Sequence, residues 1–186
     1  MTEIKKWELL RSQLVFNNPW CRVRRDEVRL PNGHQIDDFF VNVRPDLAVV
    51  FALTERREII FVRQYRHGVG EILLELPAGA FDPAVESAES AARREFTEET
   101  GYAGDRFIPL ASLHDNPVKD TNKVHLFLVE NVKKIGEQVL DITEEIELVL
   151  IPIETVRDRI QTGEICVAGT VAATFLALQL LAAQNP

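Results

Sequence analysis

LPAGAFDPAVESAESAARREFTEETGY, Leu76 to Tyr102, is the stretch on which the fold turns. Ser87 has the chemistry of an N-cap and Gly101 that of a left-handed C-terminal stop, with Ala88 to Thr100 as the helix between them. With Ala88 as the zero of a helical wheel at about 100° per residue, Ala92, Glu95 and Glu99 fall within roughly 40° of it. Ala91 and Phe96 flank that stripe, and Glu98 lies beside it. Two glutamates therefore stand in the middle of the face that should turn towards the core, where an uncompensated carboxylate costs several kcal/mol. No lysine matches them. A divalent cation explains such a cluster, and an all-oxygen ligand set selects Mg²⁺, with Mn²⁺ as its substitute, over zinc.

Working outward, Leu47 to Leu53 is a continuous apolar run, as a strand covered on both faces would be. Glu55 to Glu58 makes a polar turn, and Ile59 to Val62 returns. Phe107 to His114, Lys123 to Val129 and Ile146 to Ile151 read as further strands. Ahead of these, Trp7 to Phe16, Cys21 to Leu30 and His34 to Val43 form a small antiparallel sheet, its hairpin marked by Pro31-Asn32-Gly33. Arg22, Arg24, Arg25 and Arg29 crowd this sheet, but Asp26 and Glu27 interrupt them. That pattern predicts a solvated strand face with cross-strand ion pairs.

A chain of 186 residues with 46% apolar content can bury a full core, as one domain plus a small appended sheet. Its formal net charge of -8 argues against nucleic acid, which needs a basic face. An anionic small molecule is then welcome only where local arginines and a metal receive it. Cys21 and Cys166 share no ligand spacing, and together with an N-terminus free of a signal-type apolar run they imply a cytoplasmic protein with reduced thiols. His34, His67, His114 and His125 show no metal spacing, which makes each structural or exposed. Ile165 to Ala183 is uncharged and long enough to span a bilayer, but its Gly169, Thr170, Thr174 and Gln179 and its lack of terminal anchors predict a helix packed on the core or a partner instead. No membrane association is expected.

The helix resembles the signature of the Nudix hydrolases: Gly, five residues, Glu, seven residues, then Arg-Glu-apolar-x-Glu-Glu-x-Gly-apolar. Arg94, Glu95, Phe96, Glu98, Glu99, Gly101 and Tyr102 match as they stand, with Glu86 at the right spacing before Arg94. Six residues instead of five separate Gly79 from Glu86, so the extra one lies in the loop around Asp82-Pro83. The run RQYRHGVGEILLELPAG, Arg63 to Gly79, further resembles the ADP-ribose pyrophosphatase branch. The resemblance implies an α/β (α+β) fold: a Nudix-type α/β/α sandwich with a mixed sheet over residues 45–186, preceded by the N-terminal sheet of residues 1–44. In such enzymes that sheet often pairs with a second subunit and completes its substrate pocket, so a homodimer is expected.

By the same resemblance Glu95, Glu98 and Glu99, with the main-chain carbonyl of Ala78, hold the metal. Arg94, four residues before Glu98, orients that carboxylate. Arg66 grips substrate phosphates, and a planar guanidinium suits a diphosphate because it binds two oxygens at once. Arg44 is either a second cation at the mouth or a surface charge beside Pro45. Glu75 either completes the metal shell or is the polar face of a strand. Trp20 occupies the place of a base-stacking aromatic, with Phe39 as a second candidate. Pro117 falls where the branch carries a marker proline, although Val118 stands where glycine usually follows. Glu144 and Glu145, on the loop before the last strand, are equal candidates for the general base. The implied activity is hydrolysis of a nucleoside diphosphate derivative, foremost ADP-ribose to AMP and ribose 5-phosphate. A GDP-sugar or dinucleotide-coenzyme diphosphatase and a non-catalytic ligand-sensing module are the alternatives.

Overall fold

The structure, a computed structural model, describes residues 3–184. Two compact units emerge: the chain up to Pro45 together with His114–Asn122, and Asp46–Leu113 together with the chain from Lys123 onward. The grouping of His114–Asn122 with the first unit has no counterpart in the linear division at residue 44.

In the first unit β1 (Glu8–Asn17), β2 (Arg22–Arg29) and β3 (Gln35–Asn42) form an antiparallel sheet in that order. Gly33 takes φ 86°, the left-handed conformation that glycine adopts without steric cost, and its N–H donates to Leu30 O at 2.9 Å to close the hairpin. Two of the arginines make the cross-strand ion pairs that the sequence predicts, Arg25 with Asp37 at 3.3 Å and Arg29 with Glu8 at 2.8 Å, whereas Arg24 pairs with Asp26 at 3.0 Å within β2 itself. The 114–122 segment joins β3 through Asn42 N–H to Lys119 O at 2.7 Å and Thr121 N–H to Asn42 O at 3.1 Å.

The second unit follows as β4 (Asp46–Thr54), β5 (Glu58–Arg66), β6 (Glu71–Glu75), β7 (Ala78–Phe81), α1 (Ala88–Thr100), β8 (Tyr102–Ala103), β9 (Phe107–His114), β10 (Lys123–Lys134), β11 (Ile146–Pro152), α2 (Val156–Gln161) and α3 (Ala168–Gln184). Its sheet runs β11-β5-β4-β10-β8, with β6 on β5, β7 on β4 and β9 on β10. It is mixed, because β10 lies parallel to β4 whereas β5 and β7 lie antiparallel to it. Alternation along β4 builds both sides of a sandwich. Val49, Phe51 and Leu53 pack in one cluster with Ala173, Ala177 and Leu181 of α3, while Ala48, Val50 and Ala52 pack with Ala91, Ala92 and Phe96 of α1. Phe51, Phe61 and Phe96 are fully buried, each contributing about 1.5–3 kcal/mol.

β10 extends five residues past the predicted Val129. A bulge at Asn131 (φ 56°) absorbs the polar pair Glu130-Asn131 that breaks the apolar pattern. The uncharged C-terminal stretch is a core helix whose Thr170 Oγ1 accepts from Leu76 N–H at 3.1 Å. Among the described residues no helix is long and apolar enough to cross a membrane.

Candidate active site

Helix α1 has the bounds its sequence dictates. Ser87 Oγ accepts from Ser90 N–H at 3.1 Å, and Gly101, at φ 71°, donates its N–H to Thr97 O at 2.8 Å. The six-residue loop before it folds without strain around Asp82, whose carboxylate accepts from Ala84 N–H at 2.9 Å and whose carbonyl accepts from Val85 and Glu86 N–H. That turn delivers Glu86 to Arg94.

The inward stripe carries its carboxylates as the wheel places them. Glu99 is only 4% exposed, and its Oε2 accepts from Ala78 N–H at 3.0 Å. Burial pushes its pKa up to about 8; the Ala78 N–H offsets part of this, Glu95 and Glu144 add repulsion, and Arg66 eases it. Glu95 rests its carboxyl group directly over Gly79, in space that any Cβ there would occupy. Burial raises its pKa too, against the hydrogen bond and charge of Arg94.

Arg94 ties the acidic groups together. Nη1 donates to Glu95 at 2.8 Å and to Glu98 at 3.2 Å, while Nε and Nη2 donate to Glu86 at 3.2 and 2.9 Å. The bonds from Arg94 hold the Glu86 pKa below its ordinary value. Glu95, Glu98, Glu99 and the Ala78 main chain thus gather at one end of α1. Among the described residues no three acidic, histidine or cysteine side chains already converge on one point: Glu99 turns to Ala78 N–H, and Glu95 and Glu98 turn to Arg94. The donors nonetheless fit a hard divalent cation. They are all oxygens, they are partly desolvated, and burial together with mutual repulsion leaves Glu95 and Glu99 short of positive charge.

The two base candidates separate in the structure. Glu144 is half-buried, held by its turn with Asp141, and close enough to raise the pKa of both Glu95 and Glu99. Glu145 is exposed. Arg66 donates Nε to the buried Glu75 at 2.7 Å, so Glu75 serves as its anchor. In the first unit Arg44 Nη1 donates to Asp120 at 3.2 Å and lies 3.9 Å from Asp115. Trp20 is 87% exposed, its main-chain N–H donating to Asn18 Oδ1 at 2.9 Å. Pro117 is exposed in the 114–122 segment. Phe39 is engaged already, with the Lys119 ammonium 4.4 Å from its ring centre and Trp7 edge-on at 5.6 Å.

Two framing residues escape sequence reasoning. Asp120 holds both Arg44 and, at 2.7 Å, the Asn42 amide. Gln138 Nε2 donates to Glu99 O at 2.7 Å and Ile146 O at 3.3 Å. Neither belongs to a periodic pattern or motif, so nothing short of the fold reveals it.

Two family models match the chain: the nucleoside diphosphate sugar hydrolase N-terminal domain over residues 7–42 and the NUDIX domain over residues 43–166. The chain is similar to ADP-ribose pyrophosphatase of Bacillus subtilis (strain 168), at 30% identity over 86% of this chain and 85% of that protein. It is also similar to the methanol dehydrogenase activator of Bacillus methanolicus, at 28% identity over 96% and 97% of the two chains. Among solved structures, an ADP compounds hydrolase superposes with a TM-score of 0.87 at 22% identity, covering 100% of this chain and 99% of that one. At that identity the superposition speaks for the fold.

Proposed function

The chain belongs to the Nudix hydrolase family, and from that premise we propose that it hydrolyses ADP-ribose to AMP and ribose 5-phosphate with Mg²⁺ as cofactor and Mn²⁺ as substitute. Nudix hydrolases generally depend on a divalent metal. One observation carries the proposal: two partly desolvated glutamates, Glu95 and Glu99, stand side by side on the inner face of α1 against a backbone strand with no Cβ in the way.

Glu95, Glu98, Glu99 and the Ala78 carbonyl would hold the ion, which when bound would supply Lewis acidity towards the diphosphate and the attacking water. Arg94 keeps Glu86, Glu95 and Glu98 in place before the cofactor arrives. Glu144 removes a proton from the attacking water, whose oxygen forms the new P–O bond as the P–O–P bridge breaks. Its exposed neighbour Glu145 is set aside for this role. Arg66, anchored by Glu75, presents its guanidinium to a phosphate. In the first unit Arg44, held by Asp120, supplies a second cation, Trp20 an aromatic face for the base, and Pro117 part of the recognition loop.

A cytoplasmic setting accords with the two exposed free cysteines, Cys21 and Cys166. A homodimer accords with the apolar side chains that the N-terminal sheet exposes, among them Leu9, Leu14, Val15 and Phe16. Light scattering after size exclusion tests the dimer. Incubation with Mg²⁺ and a panel of ADP-ribose, GDP-mannose, NADH and diadenosine polyphosphates, with products resolved by chromatography, tests the activity. AMP from ADP-ribose, lost in Glu99→Gln, is the expected result. Preferential cleavage of another member reassigns the substrate, and no cleavage of any leaves a ligand-sensing module.

A further inference from the structure

The last turn of an α-helix leaves carbonyls without intrahelical partners. In α1 those carbonyls belong to the residues that carry the acidic cluster, and one short segment takes them up. Val139 N–H donates to Glu98 O at 2.8 Å, and Ile135 and Gly136 N–H donate to Gly101 O at 2.8 and 3.1 Å. Gln138 completes the set with its side chain, donating to Glu99 O at 2.7 Å. The same amide nitrogen also donates to Ile146 O at 3.3 Å, on the first residue of β11.

Gln138 and Ile146 bracket the stretch that bears Glu144. The chain leaves Gln138, runs through residues 140–145, and re-enters the sheet at Ile146. Between these points its backbone is held mainly by the local Asp141–Glu144 turn, and Ile142 at its tip is fully exposed. A loop so weakly anchored along its length takes its position from its ends. Gln138, at one end of the stretch, links the other end, Ile146 O, to Glu99 O of helix α1 through a single amide nitrogen.

We propose that Gln138 is a positioning residue for hydrolysis: its carboxamide sets where Glu144 stands relative to the carboxylates of α1. The proposal rests on the assignment of Glu144 as the base. Methionine matches glutamine in length and volume but has no donor, so Gln138→Met removes the bridge while filling its space. Glutamate at this position keeps the shape and turns an acceptor towards two carbonyl oxygens.

A double-mutant cycle on ADP-ribose hydrolysis tests this, with the Glu144→Gln, Gln138→Met and combined variants, and thermal unfolding run alongside. Glu144→Gln alone tests the base assignment, and activity at the wild-type level there sinks that assignment on its own. Given its loss, Gln138→Met is expected to lower kcat 10- to 100-fold with KM moved less than about threefold. On the Glu144→Gln background the same substitution is expected to cost less than about twofold, because the loop no longer carries a base to misplace. Gln138→Glu should reproduce the kcat loss. Equal loss from Gln138→Met on both backgrounds, or unchanged kcat in a folded Gln138→Met variant, overturns the proposal. A Gln138→Met variant that fails to fold leaves Gln138→Glu to decide by the same comparison.

Discussion

Replacing Glu99 by glutamine should make the metal-free protein more stable while it destroys activity. Glu99 is buried and has a folded pKa of about 8 against an ordinary 4.5. A carboxyl group with a raised folded pKa favours the fold fully below the lower value. That contribution is lost as pH climbs from about 4.5 to about 8. At pH 7 the interval traversed is about 2.5 pH units, and at about 1.36 kcal/mol per unit the deficit is about 3 kcal/mol. Glutamine is isosteric and cannot ionise, and its carbonyl oxygen can still accept from Ala78 N–H. Chemical denaturation in EDTA should therefore show Glu99→Gln about 3 kcal/mol more stable than wild type at pH 7, a Tm gain of about 6–12 °C. Near pH 4 the two should converge. Added Mg²⁺ should reverse the ranking, since the ion binds the folded wild type and not the variant. A gain below about 1 kcal/mol at pH 7, or one of equal size at pH 4, refutes the claim that Glu99 is held in a site short of positive charge.

Gly79→Ala puts a methyl group where the Glu95 carboxyl lies. Because a flexible side chain can yield, Tm should fall by only a few degrees, yet the Mg²⁺ concentration for half-maximal activity should rise at least about tenfold. Arg94→Lys keeps the charge but cannot reach Glu86, Glu95 and Glu98 together, so kcat should fall at least about tenfold, as steady-state kinetics will show. At the start of β4, burial works against ionisation of Asp46, but the hydrogen bonds from His125 and Lys123 N–H outweigh it and leave the pKa lowered. A depressed carboxyl stabilises above its ordinary pKa and loses that contribution as pH falls through the folded value. Asp46→Asn should thus cost about 1–2 kcal/mol at pH 7 by urea unfolding, a deficit that fades below about pH 3.8.

Helix α1 was legible to the residue. Its cap, stop and inward stripe depend on local torsions and a 3.6-residue period, which a linear chain states directly. The longer strands are legible from their apolar runs and alternation, but β5 runs four residues beyond Val62, the short β6, β7 and β8 carry no such signal, and β10 continues past Val129 through a bulge that admits polar residues. Ala78, Glu95, Glu98 and Glu99 could be grouped because a single strand–loop–helix passage carries them all. What the chain order could not decide is which groups from distant segments stand beside that helix. Glu144 and Glu145 are adjacent in sequence and identical in chemistry. Only the path of the loop, tied back through Gln138 to the end of α1, turns one towards the acidic cluster and the other to water. Phe39 reads as a free aromatic until Trp7 and Lys119 are seen to occupy it. Periodicity belongs to the backbone and is written along the chain. Electrostatic proximity falls off with distance in space, and the fold alone sets that distance.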